Sequence, residues 1–186
     1  MPALVPHWIK DNHKDIAKLI EKLSHKRVLV GIPMENDPRP GEPIGNASIG
    51  YINEFGSPAV GIPPRPHLVP GVEASLPQVK RKLEAALKSV VSGSSQFSVD
   101  AYLGQAGQLA VNSVKRTIRA GLQPNLSPYT VLHRTTGRAR RAKDAGKRGI
   151  SLMQQAIEEA ASGNLKPLID TSNYINSIVW VLDEKK

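Results

Sequence analysis

The chain has 186 residues, 40% hydrophobic and 22% charged, a globular composition of ordinary domain size that can bury roughly 70% of its unfolded surface. The absence of cysteine excludes disulfides, thiolate metal sites and cysteine nucleophiles, and fits a reducing cytoplasm. The net charge of +9 predicts attraction to nucleic acid, acidic proteins or anionic lipid, while no apolar run approaches the roughly 20 residues that span a bilayer, so no membrane partner is expected.

The opening residues "MPALVPHWIKDNHKD" combine two prolines with an early Asp11, unlike a secretory signal. Ile16, Leu19, Ile20 and Leu23 then repeat at helical spacing after Asn12, which predicts a helix near 12–24. "RVLVGIP" (27–33) reads as a buried strand stopped by Gly31 and Pro33. Residues 33–46 are rich in proline and glycine and predict a loop or arm, followed by a short helix from Ala47 to Asn53.

"NEFGSPAVGIPPRPHLVPG" (53–71) is too stiff for a flexible linker and too apolar for a plain loop. Gly56 suits the turn that ends the short helix, with Phe55 packing inward. Ile62, Pro63, Pro64, Arg65 and Pro66 run extended, because each residue before a proline is pushed out of helical space. Arg65 is the only charge between Glu54 and Glu73, so it is expected to pair with an acid, in its own chain or across a subunit interface.

Val72, Leu76, Val79, Leu83, Leu87 and Val90 form one stripe on a long amphipathic helix over about 70–91, in which Pro77 is discordant. Ser98 and Asp100 open a further helix with Leu103, Ala106, Ala110, Val114 and Ile118 on one face, ending near Gly121. Residues 122–149 read as irregular apart from a short helix starting at Ser127 and Pro128. Ile150, Met153, Ile157 and Ala160 mark a helix closed by Gly163, and "YINSIVWVL" (174–182) reads as a strand. Strands near both ends with helices between them predict one α+β domain over 1–186, with a small, mostly antiparallel sheet packed against several helices.

Catalytic chemistry has no visible carrier. The five histidines show no metal-ligand spacing and no carboxylate partner in a recognisable motif, so no metal, no cofactor and no enzyme activity are expected. Gly146 and Lys147 resemble the end of a phosphate loop, but Arg148 stands where Ser or Thr should hold magnesium. The basic stretch 134–149, a loop or arm that includes Arg138, Arg140 and Arg141, could neutralise phosphates or dock on an acidic protein neighbour; the protein neighbour is preferred. No aromatic falls in it, so base stacking has no platform there.

Taken in order, "VLVGIP", "IGYINEFGSPAVGIPPRPHLVPGVE", "PNLSPYTVLHR" and "PLIDTSNYINSIVWVL" resemble the signature blocks of the tailed-bacteriophage neck and tail-completion proteins, the head-to-tail connection and virion morphogenesis family. The resemblance covers about residues 27–90 and 98–182, and Asn53–Gly56, Ile62–Pro66 and Leu168–Thr171 match its motifs. His67 stands where Phe is usual, and Ser172 where Gly is usual, which puts that turn in question. The basic segment is longer than the usual connection of the family.

The resemblance implies a non-enzymatic virion component, made in the host cytoplasm, that assembles as a ring, six-fold in preference to twelve-fold. Its place would be the portal-to-tail junction or the upper end of the tail, as connector, stopper or tail terminator. Implied partners are further copies of itself, the portal, adaptor or stopper rings, and the tail tube or terminator, with non-specific contact to DNA in the channel. Contact residues expected on this basis are Glu54, Phe55, Gly56, Pro63, Pro64, Arg65 and Pro66, with Asp170 and Thr171, to which the charge adds Arg138, Arg140 and Arg141. The alternative is a basic DNA-binding accessory protein of phage packaging or morphogenesis.

Overall fold

The computed structural model describes residues 17–18, 20–21, 24–91, 99–141, 149–169 and 172–184, without the side chains of 89–91, 135–141 and 149–152. Among the described residues the architecture is α+β: six α-helices and one antiparallel two-stranded sheet. In chain order these are β1 (Lys26–Gly31), α1 (Asn46–Phe55), α2 (Leu68–Val91), α3 (Val99–Ala120), α4 (Pro128–Arg141), α5 (Gly149–Ser162), α6 (Asn173–Ser177) and β2 (Val179–Glu184).

The centre of the fold is α3, whose expected stripe is buried and widened by Val111, Ser113 and two glycines. Helix α2 packs along it, and the approach is close enough that a Cβ on Gly71 would lie 2.6 Å from the Val114 Cα. On another side the Trp180 ring of β2 lies over Gly104 and Gly107, where a Cβ would come within 3.0 and 2.7 Å of it. A two-stranded ribbon is marginal by itself, and this packing on α3 is what lets β1 and β2 persist.

The strands pair from Lys26↔Glu184 to Gly31↔Val179. Arg27 meets its cross-strand partner Asp183 at 2.5 Å, and Lys26 reaches Asp100 of α3 at 2.6 Å. The ribbon is half-buried, not fully buried as expected for β1: Leu29 and Val181 face outward. The main core gathers Val114, Ile118, Leu122, Tyr174, Ile175 and Ile178, and a second, smaller cluster of Leu126, Val131, Ala156 and Ala160 holds α4 against α5.

Helices α1, α2 and α3 fall close to their expected bounds. Pro77 sits inside α2, beyond its first turn, and lacks the N–H that would donate to the Glu73 carbonyl in a regular helix. The loop over 33–46 is bound to the body: Asp37 accepts from the Ala47 N–H, and Asn36 reaches the Ser177 carbonyl.

Two further expectations need correction. Residues 174–177 are helical, because Tyr174 and Ile175 turn into the core and Ser177 closes on the Tyr174 carbonyl; only the second half of "YINSIVWVL" is strand. The basic segment is not a loop throughout: α4 continues to Arg141, so Arg138, Arg140 and Arg141 lie on its last turns, while 142–148 fall outside the described residues. Arg and Ala, which fill that stretch, are good helix formers whatever their charge. The helix expected over 12–24 lies largely outside the described residues, although 17, 18, 20, 21 and 24 are helical.

Ser172 adopts φ 59°, ψ −2°, the left-handed conformation for which glycine would be the unstrained residue. Ser172→Gly is expected to raise stability by about 0.5–1 kcal/mol, strain relief outweighing the added freedom of the unfolded chain. Chemical denaturation of the two proteins measures it.

Candidate functional site: a buried carboxylate clasp and an arginine-lined cavity

The segment 56–67 crosses from the end of α1 to the start of α2 as a strap. Its first half is a closed loop: Ser57 and Ile62 exchange both backbone hydrogen bonds, 2.8 and 3.0 Å, around the 3-10 turn Pro58–Val60. Gly56, at φ 77° and ψ 175°, makes the exit from α1. A Cβ there would lie 2.9 Å from the Ile62 carbonyl oxygen and the Pro64 nitrogen, so the strap closes only over glycine.

Glu54, 7% exposed, holds the far end. Its Oε2 accepts from the backbone N–H groups of His67 and Leu68, and its Oε1 from that of Val69, at 2.8–3.0 Å. One helix thus caps the next. The residue before α2 is His67, which cannot cap the helix as Ser, Thr, Asp or Asn would, and the carboxylate of α1 takes that place at the positive end of the helix dipole. Burial alone would push the Glu54 carboxyl up; the three N–H donors and the adjacent His67 prevail, and it lies below its ordinary value.

The His67 ring is fully buried. Its Nδ1 faces two acceptors, the Arg65 carbonyl at 2.9 Å and Glu54 Oε2 at 3.1 Å, so this nitrogen carries a proton, and Nε2 meets the Tyr174 hydroxyl. Burial, then the charge of Glu54, push the Tyr174 phenol up, which keeps it protonated. Carboxylate, imidazole and hydroxyl follow the order of a catalytic triad, but here the hydroxyl is a phenol and the carboxylate oxygens are engaged by three backbone N–H groups. His67 packs edge-on to Tyr174, centroids 5.5 Å apart, and Gly50 leaves room for the hydroxyl.

Arg65, also 7% exposed, meets no acid of its own chain among the described residues. Its Nε and Nη2 donate to the carbonyls of Pro124 and Asn125 at 2.7 and 3.0 Å, tying the strap to the approach to α4, while its own N–H meets the Asn53 carbonyl. Within the chain, two carbonyls stand where a carboxylate partner is one of the two expectations. Arg65→Glu should cost about 3–5 kcal/mol, since it removes two charge-assisted bonds and buries an acid against acceptors. Thermal unfolding followed by circular dichroism reads the loss.

Phe55 points away from the core, contrary to expectation. It is 62% exposed and stacks on Tyr51 one turn earlier, ring centroids 4.9 Å apart. Pro64 and Pro66 are exposed as well, and so are Val60 and Val69. Asp170 and Thr171 lie outside the described residues.

Between the strap and the start of α4 opens a cavity of about 740 Å³. Ile49, Ile62, Pro63 and Leu126 give it an apolar wall, and Arg39, Arg65 and Arg134 give it three positive charges. Among the described residues, none that lines it is acidic. Burial and the nearby charge of Arg134 both lower the Arg65 guanidinium, and the Nε of Arg39 is buried without a hydrogen-bond partner.

Among the described residues, no group of three or more His, Asp or Glu side chains is placed to hold a metal, and no helix is long and apolar enough to cross a membrane. No protein-family model, curated protein or solved structure matches the chain. The sequence pointed to Gly56 for the turn that ends α1, which it makes, and to Glu54 and Arg65 without their partners, and it did not point to Tyr174 or Arg39. The uncapped start of α2 was a usable signal for Glu54; Tyr174, 107 residues from His67, had none.

Proposed function

We propose that this chain is a structural virion protein of the tailed-phage neck, a ring subunit that joins the head to the tail or completes the tail end. The observation that carries the reading is that the four blocks bearing the family resemblance, scattered over 155 residues from Val28 to Leu182, bond to one another. The first pairs with the last in the β1–β2 ladder. The second reaches the third through Arg65 and the carbonyls of Pro124 and Asn125, and the fourth through His67 and Tyr174. The blocks are thus one bonded unit, as expected if they were kept together for a shared body plan.

That unit supports a ring in a second way. A subunit that must present the same face to each neighbour needs a stiff edge, and the strap is fixed by Gly56, Glu54 and Arg65. On the strap and the helices it joins, Tyr51, Phe55, Val60 and Val69 offer apolar surface to a neighbour. Sedimentation velocity and negative-stain microscopy of the purified full-length chain, alone and with its portal and tail partners, test the reading. Closed rings of six or twelve subunits are expected; a monomer under every condition overturns it. DNA binding as the main function would instead appear as salt-dependent affinity for duplex without assembly.

A further inference from the structure

Helix α2 carries more apolar surface than its packing on α3 covers. That packing takes the face of Gly71, Ser75 and Ala86, and part of the apolar stripe lies to one side of it: Leu76 is 54% and Leu87 40% exposed, with Val79 and Leu83 half-buried between them. These four, with Lys80 and Glu84, border a shallow recess of about 660 Å³ that, among the described residues, α2 alone lines. A continuous apolar flank on an otherwise charged helix marks a contact surface.

The order of the residues along it says what fits. Leu76, the pair Val79 and Lys80, the pair Leu83 and Glu84, and Leu87 keep the same spacing in either direction about a point between Arg81 and Lys82. Each end is a leucine, and each inner pair is an apolar residue beside a charge, positive in one and negative in the other. An antiparallel copy of α2 centred on that point brings Leu76 to Leu87 and sets Val79 and Lys80 against Leu83 and Glu84, so that apolar meets apolar and Lys80 of each copy meets Glu84 of the other. A parallel copy would set Lys80 against Lys80. Within one chain Lys80 and Glu84 stand 4.0 Å apart with side chains 78% and 53% exposed, a contact too weak to hold them from a neighbour.

We propose that this flank of α2 is a two-fold contact, covered by the same flank of a second copy lying antiparallel. The seam from Leu76 to Leu87 is ~16 Å long at the rise of an α-helix, short enough for a reversible pair rather than a permanent one. The contact goes beyond the ring reading and stands apart from it: successive subunits of a ring meet through two different patches, whereas here each copy offers the same one.

Sedimentation equilibrium of the full-length protein carrying Phe55→Glu, which takes the exposed strap out of the association, tests the pair. A two-subunit mass is expected at micromolar concentrations. Adding Lys80→Glu or Glu84→Lys should each weaken the pair about tenfold with unchanged thermal melts, because each sets like charges across the seam, and an equimolar mixture of the two should restore it. The chain has no cysteine, so mild oxidation of Leu76→Cys mixed with Leu87→Cys should join the two variants in one disulfide-linked pair. A one-subunit mass at every concentration, or association only after a portal or tail protein is added, overturns the proposal and leaves the flank to another occupant. So does a pair that both charge variants leave unchanged, or one that they weaken without recovery on mixing.

Discussion

Replacing Glu54 by alanine is expected to destabilise the fold by about 3 kcal/mol, a fall in melting temperature of about 10 °C for a chain of this size. The N–H groups of His67, Leu68 and Val69 lose their acceptor at once, and His67 loses the carboxylate beside Nδ1. Glu54→Gln separates charge from shape: it keeps one oxygen but presents an NH2 where another donor already points. Because the folded carboxyl lies below its unfolded value of about 4.5, the folded state releases this proton more readily than the unfolded one. The stability it contributes is present above pH ~4.5 and is lost as pH falls through the lower folded value. The wild-type melting temperature should therefore drop below pH ~4.5 more steeply than that of Glu54→Gln, and parallel curves would contradict the clasp.

Phe55→Glu should have the opposite profile. The ring is largely exposed and touches Tyr51, so the monomer is expected to lose no more than about 0.5 kcal/mol. Assembly should fail, because a charge on an apolar contact repeated at every subunit boundary is repeated around the ring. Thermal melts together with sedimentation velocity distinguish the cases. Loss of stability with assembly intact would place Phe55 in the fold rather than at the interface.

The two residues are neighbours in one motif, and their contrast explains what the sequence could convey. Periodicity located the bounds of α2 and α3 well; the α3 stripe is buried as expected, whereas on α2 Leu76 and Leu87 are exposed and Ser75 and Ala86 are the buried positions. It also marked Gly56, because a glycine after a helix has a backbone reason to be there. It could not orient Phe55: hydrophobicity predicts burial, but the inward face at this end of α1 is occupied by Glu54. Nor could it match Arg65 to its partners, which are backbone carbonyls about sixty residues away and have no sequence signature. The segment from Tyr174 to Ser177 misled for a related reason. Its β-branched and aromatic residues favour strands only where a partner strand exists, and β1 is already filled by Val179–Glu184. Ser172 was legible in the other direction: a serine where glycine is usual drew attention to a turn that does adopt positive φ.

The cavity was the least legible feature. Arg39, Arg65 and Arg134 belong to a proline-rich loop, the strap and α4, and only the folded chain brings them to one wall. Read as composition, the charge seemed to belong to the segment 134–149 alone. In the structure part of it is turned toward an apolar recess lined by Ile49, Ile62, Pro63 and Leu126.

The central claim, that the chain is a built-in component of a phage neck, is tested most directly by locating it in purified particles. Quantitative mass spectrometry of the particles, combined with cryo-microscopy of the head–tail junction, should find six or twelve copies per particle in one ring at that junction, with the strap at the boundary between adjacent subunits. Mature particles that lack the chain, or that carry it anywhere but the junction or the upper end of the tail, would contradict the account.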